Sequence, residues 1–275
     1  MTIRADLHCH TTHSDGSLSP DALLQLARKN GLTALAITDH DTISSYNEAL
    51  AKAETLQLLT GVELSTVLNG HQVHILGYAF QPNHPVMRQF CEICRERRIL
   101  RNREMMARLQ AHGMPLEDGD IMGVADYQTA YGRPHIARAM VAKGYVRDHV
   151  EAFRRFIGEG KPCYFPGEKF RVEEGIAAIH ESGGKAVIAH PHLINHNEVV
   201  EALLKLPFDG LEVHYSQFSE TKNQKWAKIA LEKGWLATGG SDFHGQEVRP
   251  GLDLGASLCP VAIFQLLWDH FQRHF

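Results

Sequence analysis

The sequence predicts an α/β fold, a distorted seven-stranded (β/α) barrel with an inserted helical subdomain. Short apolar strands alternate with amphipathic helices at both ends of the chain, which is typical of a mainly parallel sheet. Almost every predicted strand also ends in a histidine or a carboxylate. Because the active sites of (β/α) barrels lie at the C-terminal rim of the strands, a barrel fits this pattern better than an open sheet.

The first strand, predicted over Ile3–Leu7, leads into His8 and His10. Residues two apart on a strand point to the same side, so both imidazoles can meet at one point. Such a pair can also be a simple polar strand end. Repetition favours a metal site, because further ligand-type residues follow later apolar runs: His40, Glu63, His74, His190, Asp242 and His244.

The other elements follow from capping and periodicity. Ser19 and Pro20 predict a helix start, with serine as N-cap and proline in the first turn, and Gly31 predicts its end. Further helices are predicted over Ser45–Glu54, Val172–Glu181, Asn197–Leu206, Lys222–Gly234 and Val261–Phe275. The six remaining strands are predicted over Thr33–Ile37, Leu56–Val62, Gln72–Tyr78, Lys185–Ala189, Gly210–Val213 and Trp235–Thr238.

The middle of the chain differs from both ends. No strand pattern appears between residues 82 and 166, and this stretch is rich in arginine, methionine and helix formers. We therefore predict a barrel formed by residues 1–81 and 167–275, and an inserted helical subdomain at residues 82–166 that acts as a lid for substrate recognition. Its first helix is predicted over Val86–His112.

Composition limits the classes of function. The chain has 275 residues, 44% of them hydrophobic, and a formal net charge of −4, which argues against non-specific coating of nucleic acid. No run approaches the roughly 20 apolar residues of a membrane span, and the first residues lack a signal peptide's apolar region, so we expect a cytoplasmic protein.

The five cysteines form an odd, scattered set, which favours reduced thiols. The 18 histidines are the unusual feature and suggest a metal site.

Two parts of the insertion suggest contacts with an anion. Arg97, Arg101 and Arg108 share one face of the long helix, either as a solvated charged surface or as part of a lid that meets an anionic substrate. Downstream, Arg133 and His135 flank a proline at the start of a helix, where free backbone N–H groups are available. That combination is the chemistry of a phosphate site, and we predict catalytic roles for both residues.

Several motifs together resemble one known family. They are Asp6-Leu7-His8-Cys9-His10, Ser14-Asp15-Gly16, Thr38-Asp39-His40-Asp41, Gly61-Val62-Glu63, Ala189-His190-Pro191 and Gly240-Ser241-Asp242-Phe243-His244. This set resembles the PHP family, named for polymerase and histidinol phosphatase, over residues 1–80 and 170–244. The insertion with its Gly-Arg-Pro-His motif resembles the subgroup acting on 3′,5′-nucleotide bisphosphates, and a closely similar subgroup trims RNA from the 5′ end.

The resemblance implies a barrel of PHP type with two or three divalent metal ions, manganese being the expected metal and iron, zinc or magnesium the alternatives. It implies that His8, His10, Glu63 and Asp242 hold one ion, that Glu63 bridges to a second held by His74 and His190, and that Asp15, His40 and His244 hold a third. Four nearby histidines are not expected to bind a metal ion directly, and they are His13, His71, His192 and His214.

The implied activity is a metal-dependent phosphoric monoester hydrolase that removes the 3′-phosphate of nucleoside 3′,5′-bisphosphates. The main alternative is a 5′→3′ exoribonuclease acting on 5′-monophosphorylated RNA. Amidohydrolase chemistry, which often uses a modified lysine as a bridge, and a degenerate binding module are weaker alternatives. The expected partner is a small nucleotide, with short RNA as the alternative, and neither a membrane nor an obligate protein partner is expected.

Overall fold

We describe residues 2–122 and 131–275 in a computed structural model of the chain, so residues 123–130 of the predicted insertion lie outside the described part. Seven of its strands form one continuous path, β1-β2-β3-β4-β6-β7-β8, and β5 pairs with β3 at the side. The strands are β1 (Ala5–Asp6), β2 (Ala34–Ile37), β3 (Gln57–Leu68), β4 (His71–Tyr78), β5 (Phe170–Arg171), β6 (Lys185–Ile188), β7 (Gly210–Tyr215) and β8 (Leu236–Gly240).

The two ends of this path meet. The Leu7 N–H donates to Gly239 O at 3.3 Å, the His10 N–H donates to Phe243 O at 2.8 Å, and Cys9 forms a parallel bridge with Phe243. These contacts nearly close the sheet into a barrel, which confirms the predicted fold class. The seven strands of the barrel are those predicted from the sequence, whereas β5 was not predicted.

The hairpin of β3 and β4 corrects one prediction. Strand β3 does not end at Val62 but continues to Leu68, and it pairs in antiparallel register with β4. Asn69 and Gly70 connect the two strands with φ values of 51° and 81°, the left-handed conformation that two-residue hairpin turns require. Strand β4 is also antiparallel to β6, so its beginning, where His74 lies, reaches the rim at which the parallel strands end.

The helices that were predicted are present, some with shifted ends, and the structure adds short helices at Asp118–Met122 and His149–Ala152. In the described residues they are α1 (Pro20–Lys29), α2 (Ser44–Leu50), α3 (Pro85–Ala111), α4 (Asp118–Met122), α5 (Arg133–Ala142), α6 (His149–Ala152), α7 (Val172–Glu181), α8 (Asn197–Leu203), α9 (Glu220–Lys233) and α10 (Val261–His274). The Ser19 hydroxyl caps α1 by accepting from the Ala22 N–H at 3.2 Å. The predicted extension of α2 to Glu54 is wrong, because Glu54 has a φ of 52° that an α-helix does not accommodate.

Three apolar clusters organise the described residues. One joins the first strands to α1, α2 and α10, with side chains such as Leu35 and Phe264, and a second joins the sheet to α3, α7, α8 and α9. The third joins Met105 and Leu109 of α3 to Ile136 and Met140 of α5. The described part of residues 82–166 forms no strand, and the division into barrel and insertion stays a prediction.

Long helix α3 takes part in two of these clusters. Its first half contributes Met87, Phe90 and Cys94 to the cluster beside the sheet, and its second half contributes to the cluster of the inserted helices. The helix therefore connects the apolar cluster beside the sheet to the cluster formed by the other helices of residues 82–166. Among the described helices, none combines the length and apolarity that a membrane crossing needs.

Candidate metal centre

Nine predicted ligands come together at one rim of the barrel, although they come from seven separate stretches of the chain. They are His8, His10, Asp15, His40, Glu63, His74, His190, Asp242 and His244. Loops that follow β1, β2, β6 and β8 supply most of them, and the β3–β4 hairpin supplies Glu63 and His74 from within its strands. The antiparallel direction of β4 brings His74 to this rim from the opposite end of its strand.

Glu63 lies at the centre of this arrangement and is almost fully buried. Its Oε2 lies 3.2 Å from His8 Nε2, 3.1 Å from His10 Nε2 and 3.2 Å from His40 Nδ1. Its Oε1 lies 2.9 Å from both His74 Nδ1 and His190 Nε2. Because the two oxygens face different sets of imidazoles, Glu63 has the surroundings of a carboxylate that bridges two ions.

The ligand atoms form three overlapping groups, and in each group they lie within 4.8 Å of one another. The groups are His8, His10, Glu63 and Asp242; His40, Glu63 and His74; and His10, Asp15, His40 and His244. The first has the membership implied by the resemblance. The second has His40 where the resemblance implies His190, which belongs to none of the three groups, although its Nε2 lies 2.9 Å from Glu63 Oε1. The third adds His10 to the implied Asp15, His40 and His244, so His10 and His40 are each shared between neighbouring groups.

The donor set and its hydrogen bonding both fit metal ions. His10 Nε2 and His40 Nδ1 are buried, yet neither makes a hydrogen bond within the described part of the chain. Buried polar atoms are normally paired, so two such nitrogens aimed at Glu63 indicate that another partner belongs there. Mixed imidazole and carboxylate donors suit manganese, iron and zinc. The residues present therefore fit a centre of more than one divalent ion.

The electrostatics keep the acidic ligands ionised. Burial alone would raise the pKa of Glu63, but the surrounding imidazoles, His8 among them, hold that pKa well below its usual range. Burial lowers the pKa of His40 to about 3, despite the opposing charges of Glu63 and Asp15, so this imidazole is neutral at neutral pH. A neutral imidazole keeps a free electron pair, which is the form that coordinates a metal ion.

Glu212 in β7 was missed as a functional residue, although a lone carboxylate inside an apolar strand was the available signal. It is fully buried, and its Oε1 lies 2.9 Å from His8 Nδ1 while its Oε2 accepts from the His190 N–H at 2.8 Å. If His8 Nδ1 carries the proton, His8 Nε2 is free to face Glu63. A carboxylate behind a metal-binding histidine usually fixes its orientation in this way.

Two further carboxylates anchor the loops that carry ligands. Asp39 accepts from the Thr11 N–H and the Thr11 hydroxyl, both at 2.7 Å, and from the Ser14 hydroxyl at 2.6 Å. Asp6 accepts from the Ser241 N–H at 2.9 Å and the Gly255 N–H at 2.8 Å. These bonds fix the loop before Asp15 and the turn before Asp242, so both residues support ligand geometry without being ligands themselves.

Backbone strain accompanies the ligands that follow β6 and β8. His190 and Asp242 have φ values of 25° and 56°, which are unfavourable for residues with a side chain. Asp242 is held by its N–H, which donates to His8 O at 2.7 Å, and by the Tyr215 hydroxyl, which donates to its Oδ2 at 2.7 Å. Such strain is typical of functional sites, where surrounding contacts enforce an unfavourable conformation.

A cationic cavity of about 140 Å³ adjoins the predicted ligands. Its wall includes Asp15, His40 and His74 on one side, together with Arg98, Arg101, Arg133 and Lys169. Burial and the nearby arginines Arg133 and Arg101 lower the pKa of Lys169 to about 7. Four basic side chains around one small volume favour an anionic ligand.

The structure separates the two residues predicted to bind phosphate. Arg133 lies on the cavity wall, with its guanidinium carbon 5.6 Å from the Phe153 ring centroid and 5.4 Å from that of Tyr164. His135 lies behind the wall, where its Nδ1 accepts from the Gly132 N–H at 3.1 Å. Burial lowers the pKa of His135 to about 4, so it is neutral and fixes the turn that presents Arg133.

The arginine face of α3 lies partly at the cationic cavity and partly away from it. Arg101 lines the cationic cavity, whereas Arg97 stacks on Phe170 and Arg108 pairs with Glu104 at 2.9 Å. Arg138 on α5 was not predicted. Its Nε and Nη2 are buried without a hydrogen-bond partner among the described residues, and the charge of Asp15 opposes the lowering of its pKa by burial.

Residues 6–143 match the sequence profile of the PHP domain. The chain belongs to the PHP family. It is 35% identical to a Haemophilus influenzae 5′-3′ exoribonuclease, with 98% of this chain and 100% of that protein covered. It is equally 35% identical to a Chromobacterium violaceum 3′,5′-nucleoside bisphosphate phosphatase, with 97% of this chain and 96% of that protein covered.

Two solved structures share this fold over nearly the whole chain. A Chromobacterium violaceum protein described as an amidohydrolase, crystallised with sulfate, superposes with a TM-score of 0.87 at 33% identity, covering 97% of this chain and 96% of that one. A Bifidobacterium adolescentis protein, named for a proposed metal-dependent phosphoesterase activity, gives a TM-score of 0.88 at 31% identity, covering 98% and 97%. The protein is thus a metal-dependent PHP phosphoesterase.

Proposed function

We propose that this PHP phosphoesterase hydrolyses the 3′-phosphate of nucleoside 3′,5′-bisphosphates to give 5′-mononucleotides. The observation that supports it is one cavity with two kinds of wall, in which candidate metal ligands face a group of basic side chains. A substrate with two phosphates on one ribose matches two such subsites. The 3′-phosphate would meet the metal centre and the 5′-phosphate would meet the basic group.

In this proposal the metal centre has three ion positions, with manganese as the expected metal. The first uses His8, His10, Glu63 and Asp242, the second uses Glu63, His74 and His190, and the third uses Asp15, His40 and His244. Bound divalent ions supply a water of lowered pKa and neutralise charge on phosphoryl oxygens. Glu212 holds His8 in the orientation that binding requires.

The basic group orients the substrate. Arg133 can donate two parallel hydrogen bonds to a phosphate, and its position against Phe153 and Tyr164 limits its motion before the substrate arrives. His135 stabilises the turn that carries Arg133. Arg138, whose buried nitrogens lack partners in the described chain, is a further candidate for a phosphate contact.

The test compares adenosine 3′,5′-bisphosphate with adenosine 3′-monophosphate on the manganese-loaded protein. Loss of the 5′-phosphate leaves the basic group unpaired and removes binding energy that orients the reacting phosphate. We expect kcat/KM to fall by at least about a hundredfold, or roughly 3 kcal/mol. Similar values for the two substrates would contradict the two-subsite proposal.

A 5′→3′ exoribonuclease is the second candidate, and a second cavity favours it. This cavity, of about 420 Å³, is lined by His74 and His190 and shares only Gln72 and His74 with the first among its lining residues. Its wall also contains Val73, Leu193 and Ile194, surfaces against which a nucleoside could pack. It therefore provides room beside the candidate ligands for a 3′ substituent larger than phosphate.

The two candidates separate in one assay. A 5′-phosphorylated oligoribonucleotide and adenosine 3′,5′-bisphosphate are offered to the same preparation at equal concentration, and mononucleotide release is followed in both. Rapid turnover of the bisphosphate alone supports the phosphatase, whereas stepwise release from the RNA 5′ end supports the exoribonuclease.

Amidohydrolase chemistry through a modified lysine lacks support. Lys185 stands at the start of β6, and its Nζ lies 3.1 Å from Asp209. The start of a parallel strand lies at the rim opposite the candidate ligands. The residue beside the histidines, where a bridging ligand would lie, is Glu63 and not a lysine. A degenerate binding module would lack ligands, yet all nine predicted residues are close together.

A further inference from the structure

A second group of metal-ligand side chains lies outside the candidate metal centre. His71 begins β4, His196 precedes α8 as its N-cap, and Glu198 lies in the first turn of α8. One ligand atom from each residue lies within 4.8 Å of the other two. The His71 and His196 ring centroids are 4.0 Å apart with a tilt of 40°, and His196 Nδ1 lies 3.3 Å from Glu198 Oε1.

An ion pair explains only part of this group. His196 and Glu198 could form an ordinary surface pair, but such a pair gives no reason for His71 to join it. Within the described chain the His71 side chain makes no hydrogen bond or ion pair, and its contact is the ring of His196. Two imidazoles at this distance would repel if both were protonated, whereas two neutral imidazoles can share a cation.

We propose that His71, His196 and Glu198 bind an additional divalent transition-metal ion, with Zn²⁺ as the best match. Two imidazoles and one carboxylate are an established zinc donor set, which leaves a fourth position for water or another ligand. Zinc needs its donor atoms about 2.0–2.2 Å from the ion. The side chains of His196 and Glu198 are 50% and 68% exposed, so both can rotate the short distance required.

The proposed zinc site would change the charge of the second cavity, the one of about 420 Å³. His71 and His196 line that cavity together with His74 and His190 of the candidate metal centre. Glu159 is the one formally charged side chain among its described lining residues. A zinc ion at the edge of this volume would add positive charge where the described wall otherwise carries a negative one, and would favour an anionic group there.

The experiment measures metal content and affinity, because activity alone would report on the catalytic ions. Manganese-loaded protein is titrated with Zn²⁺ in the presence of excess manganese, desalted, and analysed for total bound metal per chain. We expect His71→Ala and His196→Ala each to hold one ion fewer than the parent protein. Glu198→Gln should weaken the affinity for Zn²⁺ at this site at least tenfold.

His180→Ala is the matched control, because His180 is a partly exposed histidine that pairs with a carboxylate, Asp209, at 2.7 Å. It should bind as many ions as the parent protein. Equal metal content and equal zinc affinity in all four variants would overturn the proposal. Removing the His196 ring costs no helix cap, because this side chain makes no capping hydrogen bond, and circular dichroism verifies the fold of each variant.

Discussion

At the scale of single residues, the candidate centre depends as much on groups that orient ligands as on the ligands. Glu212 contacts both His8 and the backbone of His190, so one buried carboxylate positions ligands from two different strands. Residues of this kind carry no recognisable spacing in the sequence. Their contacts with the ligands are defined only by the fold, in which Glu212 of β7 reaches both His8 and His190.

We predict that Glu212→Gln weakens the metal centre without removing a ligand. The amide cannot replace both carboxylate oxygens as acceptors, so His8 loses part of its orientation. We expect a 10- to 100-fold rise in the manganese concentration needed for half-maximal activity, the usual effect of removing such a partner. Glu201→Gln, an exposed change on α8, is the control, and an equal response of both variants would contradict the role of Glu212.

Arg133 and Arg108 allow the effect of an arginine at the cationic cavity to be compared with that of an arginine away from it. Arg133 lines the cationic cavity, whereas Arg108 is paired with Glu104 and with the Tyr164 carbonyl. Arg133→Ala should cost about 2–4 kcal/mol in transition-state stabilisation, measured as kcat/KM, which is typical of a preorganised donor. Arg108→Ala should cost much less, and small, equal effects of both changes would contradict a phosphate contact by Arg133.

At the scale of elements, the insertion and the barrel meet through a buried ion pair. Arg98 of α3 donates to the Asp41 carboxylate, which also accepts from the Ser65 N–H at 2.7 Å. Asp41 follows the predicted ligand His40, and Ser65 lies two residues beyond Glu63. One contact therefore links α3 to two ligand-bearing segments.

Arg98→Ala should destabilise the protein strongly. It leaves Asp41 buried without its charged partner, and breaking a buried pair costs about 3–5 kcal/mol. The free energy of unfolding in urea measures the effect. Arg98→Ala combined with Asp41→Asn should recover part of that loss, because no unpaired charge remains, and a double variant no more stable than Arg98→Ala would argue against the pair.

Asp209 links α7 and β6 through hydrogen bonds that depend on its ionisation, and these lie away from the candidate metal centre. Burial alone would raise its pKa, but hydrogen bonds from the Ala186 N–H, His180 and Lys185 lower it. A lowered folded-state pKa contributes stability above the unfolded value of about 3.9 and loses it as the pH falls. Asp209→Asn should therefore be less stable than the parent protein at pH 7, and the difference should shrink below about pH 4 in urea unfolding. A difference that stays constant with pH would contradict this link.

At the scale of the whole molecule, the metal ions should contribute to folding as well as to chemistry. The candidate ligands come from both ends of the chain, from His8 to His244, so an ion bound to the folded state alone stabilises the whole barrel. Chelation should abolish phosphate release and lower the Tm by several degrees, and added manganese should restore both. Cys9→Ser should retain most activity, since the buried Cys9 thiol only donates to Ala36 O.

The sequence was sufficient for the barrel and for the set of candidate ligands, because both depend on local patterns. Apolar runs followed by histidine or aspartate identified the parallel strands. Local patterns do not indicate which strand reverses its direction. The structure was therefore needed to find that β4 is antiparallel and that β3 extends to Leu68. It was also needed to find that His10 and His40 are each shared between two groups of ligands. The one local signal of this reversal is Asn69-Gly70, a residue pair typical of two-residue hairpin turns.

Helix α3 also limits how residues 82–166 could be exchanged between related proteins. Removing the chain from residue 82 onward would take Met87, Phe90 and Cys94 out of the cluster beside the sheet. The helix therefore cannot be removed without loss of packing against the sheet. Exchanging residues 82–166 for the insertion of a relative would disturb two apolar clusters at once. An engineered change of substrate preference should therefore start from point substitutions on the cavity-facing side of α3, which leave both apolar clusters intact.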